Sequence, residues 1–99
     1  MMFTPTIQNE HTDLLVKAML SLDTPEDAYR LFEDLLTVAE MKSISQRLAV
    51  AEMLRQGIKY QDIAAETGVA TATITRINRA LQYGADGYNR VLDKLKAEQ

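Results

Sequence analysis

The stretch Tyr60-Gln61-Asp62-Ile63-Ala64-Ala65-Glu66-Thr67-Gly68-Val69-Ala70-Thr71-Ala72-Thr73-Ile74-Thr75-Arg76-Ile77-Asn78-Arg79 carries the side chains of this sequence best suited to recognition. Thr71, Ala72, Thr73, Thr75, Arg76, Asn78 and Arg79 are small, hydroxylic, amide or basic. From Gly68 to Tyr83 there is no acid, while the two arginines supply positive charge. The chemistry such residues perform is non-covalent. Hydroxyls and amides reach phosphates or base edges, small side chains meet thymine methyls, and arginine pairs bidentately with guanine. Lys59, just before the stretch, and Lys42, Arg47 and Arg55 add positive field. The same offsets of Ala, Gly and Ile also occur in plain helical hairpins. A helical protein-interaction module, with the hairpin kept as architecture, is therefore the alternative reading.

Other chemistry finds little support. Cysteine is absent, which excludes thiol nucleophiles, disulfides and thiolate metal sites. The one histidine, His11, has no partner nearby in sequence and reads as an exposed residue of the first helix. Glu26, Asp27, Glu33, Asp34 and Glu40 have no Glu-x-x-His motif beside them, so they read as helix-start and solvated charges. No nucleophile–base pair or glycine-rich phosphate loop appears, and an enzyme is not expected. Tyr60 and Tyr83 flank the stretch and either touch phosphate or pack. The dispersed methionines suit a core or an interface.

Positioning these residues requires two short helices joined at a glycine. Ala64 allows a steep helix crossing, Gly68 tolerates positive φ in the turn, and Ile63, Val69, Ile74 and Ile77 are apolar where burial is needed. The first of the pair is expected over Tyr60–Thr67. Thr71 is expected to cap the second, which runs to about Tyr83 with Gly84 beyond. The rest of the chain also reads as helical. A first helix is expected over about Asn9 to Ser21, with Leu14, Leu15, Ala18, Met19 and Leu22 as its stripe. A second opens at Thr24-Pro25-Glu26-Asp27, where a cap, a first-position proline and two acids coincide. Its stripe is Ala28, Leu31, Phe32, Leu35 and Leu36. The third starts at the capping box Thr37-Val38-Ala39-Glu40 and runs to Gln56, with Gly57 as its left-handed stop. Met41, Ile44, Leu48 and Ala51 on one face, and Ala49, Val50 and Met53 on another, mark it as a central helix packed on two sides. A sixth begins at Asp86 and carries Val91, Leu92 and Leu95.

The 99 residues fit one small domain: dimerisation helices over about 9–57, the helix-turn-helix over 60–83 and a last helix over 86–97. With 46% hydrophobic and 25% charged residues, the composition is that of an ordinary globular protein. The net charge of −3 hides an asymmetry: residues 1–41 carry −6 and residues 42–99 carry +3. An acidic front and a basic working surface are compatible with a nucleic-acid partner. No apolar run approaches the roughly 18 residues of a membrane span. The opening Met1-Met2-Phe3-Thr4-Pro5 lacks the pattern of a signal peptide, so a cytoplasmic location is expected.

The turn and following helix, Gly68 onward with Ala72-Thr73-Ile74-Thr75-Arg76, resemble those of the Trp repressor family. Further matches are Thr37, Gln46-Arg47-Leu48-Ala49-Val50, Met53-Leu54, Gly57-Ile58, Tyr60, Ile63, Thr67-Gly68, Thr73 to Arg79 and Tyr83-Gly84. Together they resemble the YerC/YecD-type branch of that superfamily, over about Leu14 to Leu95. The resemblance implies an all-α, six-helix subunit, an intertwined homodimer and a DNA-binding transcriptional regulator acting as a repressor. Wide apolar stripes on three helices also favour shared burial across a two-fold interface, which sets two reading helices roughly 34 Å apart. In the Trp repressor, L-tryptophan acts as corepressor between the central helix and the reading unit, clamped by two arginines. The corresponding effector residues here are Thr37, Arg47 and Arg76. Two departures stand against that ligand: an ungapped match puts Gln46 rather than Arg47 at the second arginine, and Ile77 replaces a glycine beside Arg76.

Overall fold

The computed structural model describes residues 3–98, so the Met1-Met2 start of the opening segment lies outside the described residues. All regular structure among them is helical: α1 (Glu10–Leu20), α2 (Pro25–Leu35), α3 (Val38–Arg55), α4 (Tyr60–Thr67), α5 (Thr71–Tyr83) and α6 (Gly87–Ala97). The chain divides into two compact units, Met1–Val38 and Ala39–Gln99.

In the first unit the helix starts are set by side-chain caps. The Asn9 side chain accepts from the Thr12 amide at 2.9 Å, and Thr12 Oγ1 accepts from the Asn9 amide at 2.8 Å. The Thr24 hydroxyl accepts from the Asp27 amide at 3.2 Å, with Pro25 as the first helical residue. Both starts carry acids against the positive end of the helix dipole. No residue of α1 or α2 is buried, and Leu14, Leu15, Met19 and Leu35 of the expected stripes are exposed. His11 is an exposed residue of α1, as read from the sequence.

The second unit holds the core. Val50 and Ala51 of α3, Ile63 of α4, Ile74 and Ile77 of α5 and Leu92 of α6 are its buried residues. Met53, Leu54, Ile58, Tyr60, Ala64, Val69, Leu81 and Tyr88 pack around them. α3 ends as expected at Gly57, whose φ of +81° allows a double closure: Gly57 N–H donates to Leu54 O and Ile58 N–H to Met53 O. The two faces expected of α3 are both covered only in part: Ala51 on one and Val50 on the other are fully buried, while Ile44, Leu48 and Ala49 are exposed. Ile44 and Leu48 remain 46% and 38% exposed in the single chain.

α6 is tied down by polar groups. Asp86, at φ +67°, precedes it, and the Asn89 side-chain amide donates both to Asp86 Oδ1 and to Leu81 O at the end of α5. Arg55 at the end of α3 donates to Asn89 O at 3.2 Å and pairs with Asp93.

Candidate nucleic-acid interface

α4 and α5 are joined by a three-residue turn, Gly68-Val69-Ala70, built from local hydrogen bonds. Gly68 has φ +75°, and its N–H donates to Ala64 O at 2.9 Å. The Thr67 hydroxyl donates to Ile63 O at 2.7 Å and accepts from the Val69 amide at 3.2 Å. Gln46 of α3 donates its side-chain amide to Thr67 O at 3.1 Å. One expectation is corrected here. Thr71 does not cap α5; it is its first residue, and Ala70 holds the capping position with no side-chain cap bond. The reason is a start one residue earlier than the hydroxyl suggested, since the Thr73 and Ile74 amides both reach Ala70 O.

Burial fixes which face of α5 points outward. Ile74 and Ile77, three residues apart, are inserted in the core. Successive helical residues turn by about 100°, so Ala72, Thr75, Arg76 and Arg79 fall on the far side. These four and Thr71 are exposed. Asn78 lies on the core flank and Thr73 on the opposite flank, and both are half-buried. Of the seven α5 residues singled out, five thus form the outward ridge. Lys59 is exposed at the N-terminal boundary of α4. The Thr75 hydroxyl donates back to Thr71 O at 3.0 Å, which leaves its oxygen free to accept. Arg55 adds no free positive charge, because Asp93 engages it.

Between α3, α5 and α6 lies a cavity of about 430 Å³ lined by Ser43, Gln46, Arg47, Val69, Ala70, Thr73, Arg76, Ile77, Ala80 and Tyr88. Two of the three residues expected around an effector, Arg47 and Arg76, are therefore brought together. Thr37, the third, belongs to the other unit and is exposed. Gln46 and Ile77 occupy the positions where the sequence departs from the Trp repressor: one engages the turn, the other is buried. Ser43 and Tyr88 were not singled out from the sequence as belonging to any shared site. They lie 45 positions apart on different helices, and no local spacing signals their meeting. No group of His, Cys, Asp or Glu side chains suited to a metal ion occurs among the described residues, and no helix there is long and apolar enough to cross a membrane.

Comparison with known proteins agrees with this geometry. The family described as Trp repressor protein matches residues 10–96. The chain is 47% identical over 90 residues to the uncharacterized protein YerC of Bacillus subtilis (strain 168), covering 91% of this chain and 86% of that protein. It is similar in structure to a TrpR-like protein from Eubacterium eligens, with a TM-score of 0.87 and 48% identity over 91% of this chain and 93% of that one. A crystal structure from Staphylococcus aureus gives a TM-score of 0.86 and 44% identity over 91% and 90%. With a helix-turn-helix of this geometry and matches that span nearly its whole length, the chain belongs to the Trp repressor family, a family of regulatory DNA-binding proteins and not of enzymes.

Proposed function

We propose that this chain is a cytoplasmic, homodimeric, sequence-specific DNA-binding regulator that represses by occupying a promoter. The observation that carries the reading is the acid-free outward ridge of α5, formed by Thr71, Ala72, Thr75, Arg76 and Arg79 and backed by buried Ile74 and Ile77. A helix in the major groove needs such a ridge. Arg76 and Arg79 supply phosphate or guanine contacts, the threonines and Ala72 supply small groups for base edges and methyls, and Lys59 adds a phosphate contact. Thr73 and Asn78 act from the flanks of the ridge. One subunit reads few base pairs, so affinity rests on two copies binding adjacent half-sites. The exposed apolar side chains of α1 and α2, and Ile44 and Leu48 of α3, support an intertwined homodimer. An acidic effector entering the cavity would meet Arg47 and Arg76. Tryptophan is not part of this reading, because Gln46 and Ile77 stand at the two departures noted above.

Selection of bound sites from random duplexes, followed by titration across salt concentrations, tests the reading. The wild type is expected to lose affinity steeply as salt rises. Arg76→Ala and Arg79→Ala should each weaken the best site by roughly tenfold, with helicity unchanged. Affinity that ignores both substitutions and salt would leave a protein-interaction module as the better account.

A further inference from the structure

Polar side chains tie the helix-turn-helix to its neighbours on both sides of α5, at the end of α4 from α3 and at Leu81 from α6. At the far end, Arg55 donates to Asn89 O, and the Asn89 amide donates to Leu81 O of α5. At the near end, Gln46 crosses from α3 to the turn and donates to Thr67 O. That carbonyl is the last of α4, one of the groups a helix leaves without an intrahelical donor. The Gln46 side chain is half-buried. Between the two tethers, Ile74 and Ile77 fix the helix against the core, but one apolar seam leaves rotation about that seam open. Two polar tethers at opposite ends remove it.

We propose that Gln46 is a positioning residue that sets the orientation of the reading helix, so that duplex binding requires no small molecule in the adjacent cavity. The proposal rests on the DNA-reading function argued above. Gln46 also lines that cavity beside Arg47 and Arg76. The protein's own amide thus joins the central helix to the turn at the edge of that cavity. The released end would be the one that carries Thr71, Ala72 and Thr75.

The test uses the full chain as wild type, Gln46→Leu and Gln46→Glu. Leucine keeps bulk without a donor, and an ionised glutamate turns an acceptor toward a carbonyl. Thr67 O and the Gly68 N–H belong to one peptide group, so the Gly68 amide nitrogen shift reports the bond directly. Both variants should move that resonance and speed its hydrogen exchange, keep wild-type helicity, and bind the selected duplex about tenfold more weakly. Wild-type protein refolded from guanidinium and dialysed, hence free of carried-over metabolites, should bind at full affinity. A moved Gly68 resonance with unchanged affinity overturns the positioning role, as does an unmoved resonance. Binding that returns only when L-tryptophan is added overturns ligand independence. If wild type binds no duplex at all, the DNA reading itself fails, while the Gly68 shift still shows whether the tether forms.

Discussion

At the scale of single residues, three helix ends depend on glycine for two different reasons. Gly57 and Gly68 sit at positive φ with open space where a side chain would go, so their constraint is conformational. Gly84 has an ordinary backbone, but a Cβ there would lie 2.5 Å from Ala80 O, so its constraint is steric. The distinction predicts different rescue. Gly57→Ala should cost about 1–2 kcal/mol, and Gly57→Asn less, because asparagine tolerates the left-handed region. Gly84→Ala should cost about 1–3 kcal/mol, and Gly84→Asn no less, because any Cβ meets the same carbonyl. Thermal melts at one fixed protein concentration measure both. Equal behaviour of asparagine at the two sites would remove the distinction. The stops at Gly57 and Gly68 were legible in the sequence, since a glycine after an apolar period is a local signal. Gln46 was not legible as a tether. Its partner is a backbone carbonyl 21 residues away, and a carbonyl leaves no mark in a sequence.

At the scale of elements, the helices were readable where local signals mark their ends: side-chain caps start α1 and α2, and left-handed glycines follow α3 and α4. The miss at α5 is instructive. A threonine suggested a cap, yet the helix begins at that threonine and leaves Ala70 at the capping position without a side-chain bond. The first amides of α5 are therefore not all engaged by side chains, at the end from which a DNA-reading helix meets phosphate. Stability and recognition should then separate at this position. Ala70→Ser supplies the missing acceptor and should stabilise the protein by about 0.5–1 kcal/mol. Ala70→Asp supplies the acceptor and a favourable charge against the helix dipole, and should stabilise at least as much. The aspartate also places an acid where the sequence has none from Gly68 to Tyr83. It should weaken duplex binding by roughly tenfold, and serine by much less. Melting curves and binding isotherms on the same two variants decide the matter. An aspartate that raises both stability and affinity would place the duplex away from the start of α5.

At the scale of the whole molecule, burial is lopsided. Among the described residues, the second unit contains every buried hydrophobic residue, whereas α1 and α2 bury none. Leu14, Val16 and Leu20 of α1 are more than half exposed, and Ile44 and Leu48, four apart on α3, form an open apolar pair. Exposed apolar surface on this scale marks an interaction face, and a second copy is the cover the proposed function requires. None of this could be resolved from periodicity alone. An apolar stripe reads the same whether its own chain or a partner buries it. Sedimentation should find a dimer at micromolar concentration, and its melting temperature should rise with protein concentration, because folding and association are then linked. Ile44→Lys combined with Leu48→Lys should shift the population toward monomer. Neither Ile44 nor Leu48 is one of the α5 reading residues, so each monomer keeps them. Affinity for an isolated half-site should change little, while affinity for the paired site should fall by orders of magnitude, since the second half-site is no longer bound intramolecularly. A wild-type protein that stays monomeric and melts at the same temperature at every concentration would remove the dimer, and with it the basis for tight operator binding by so small a reading surface.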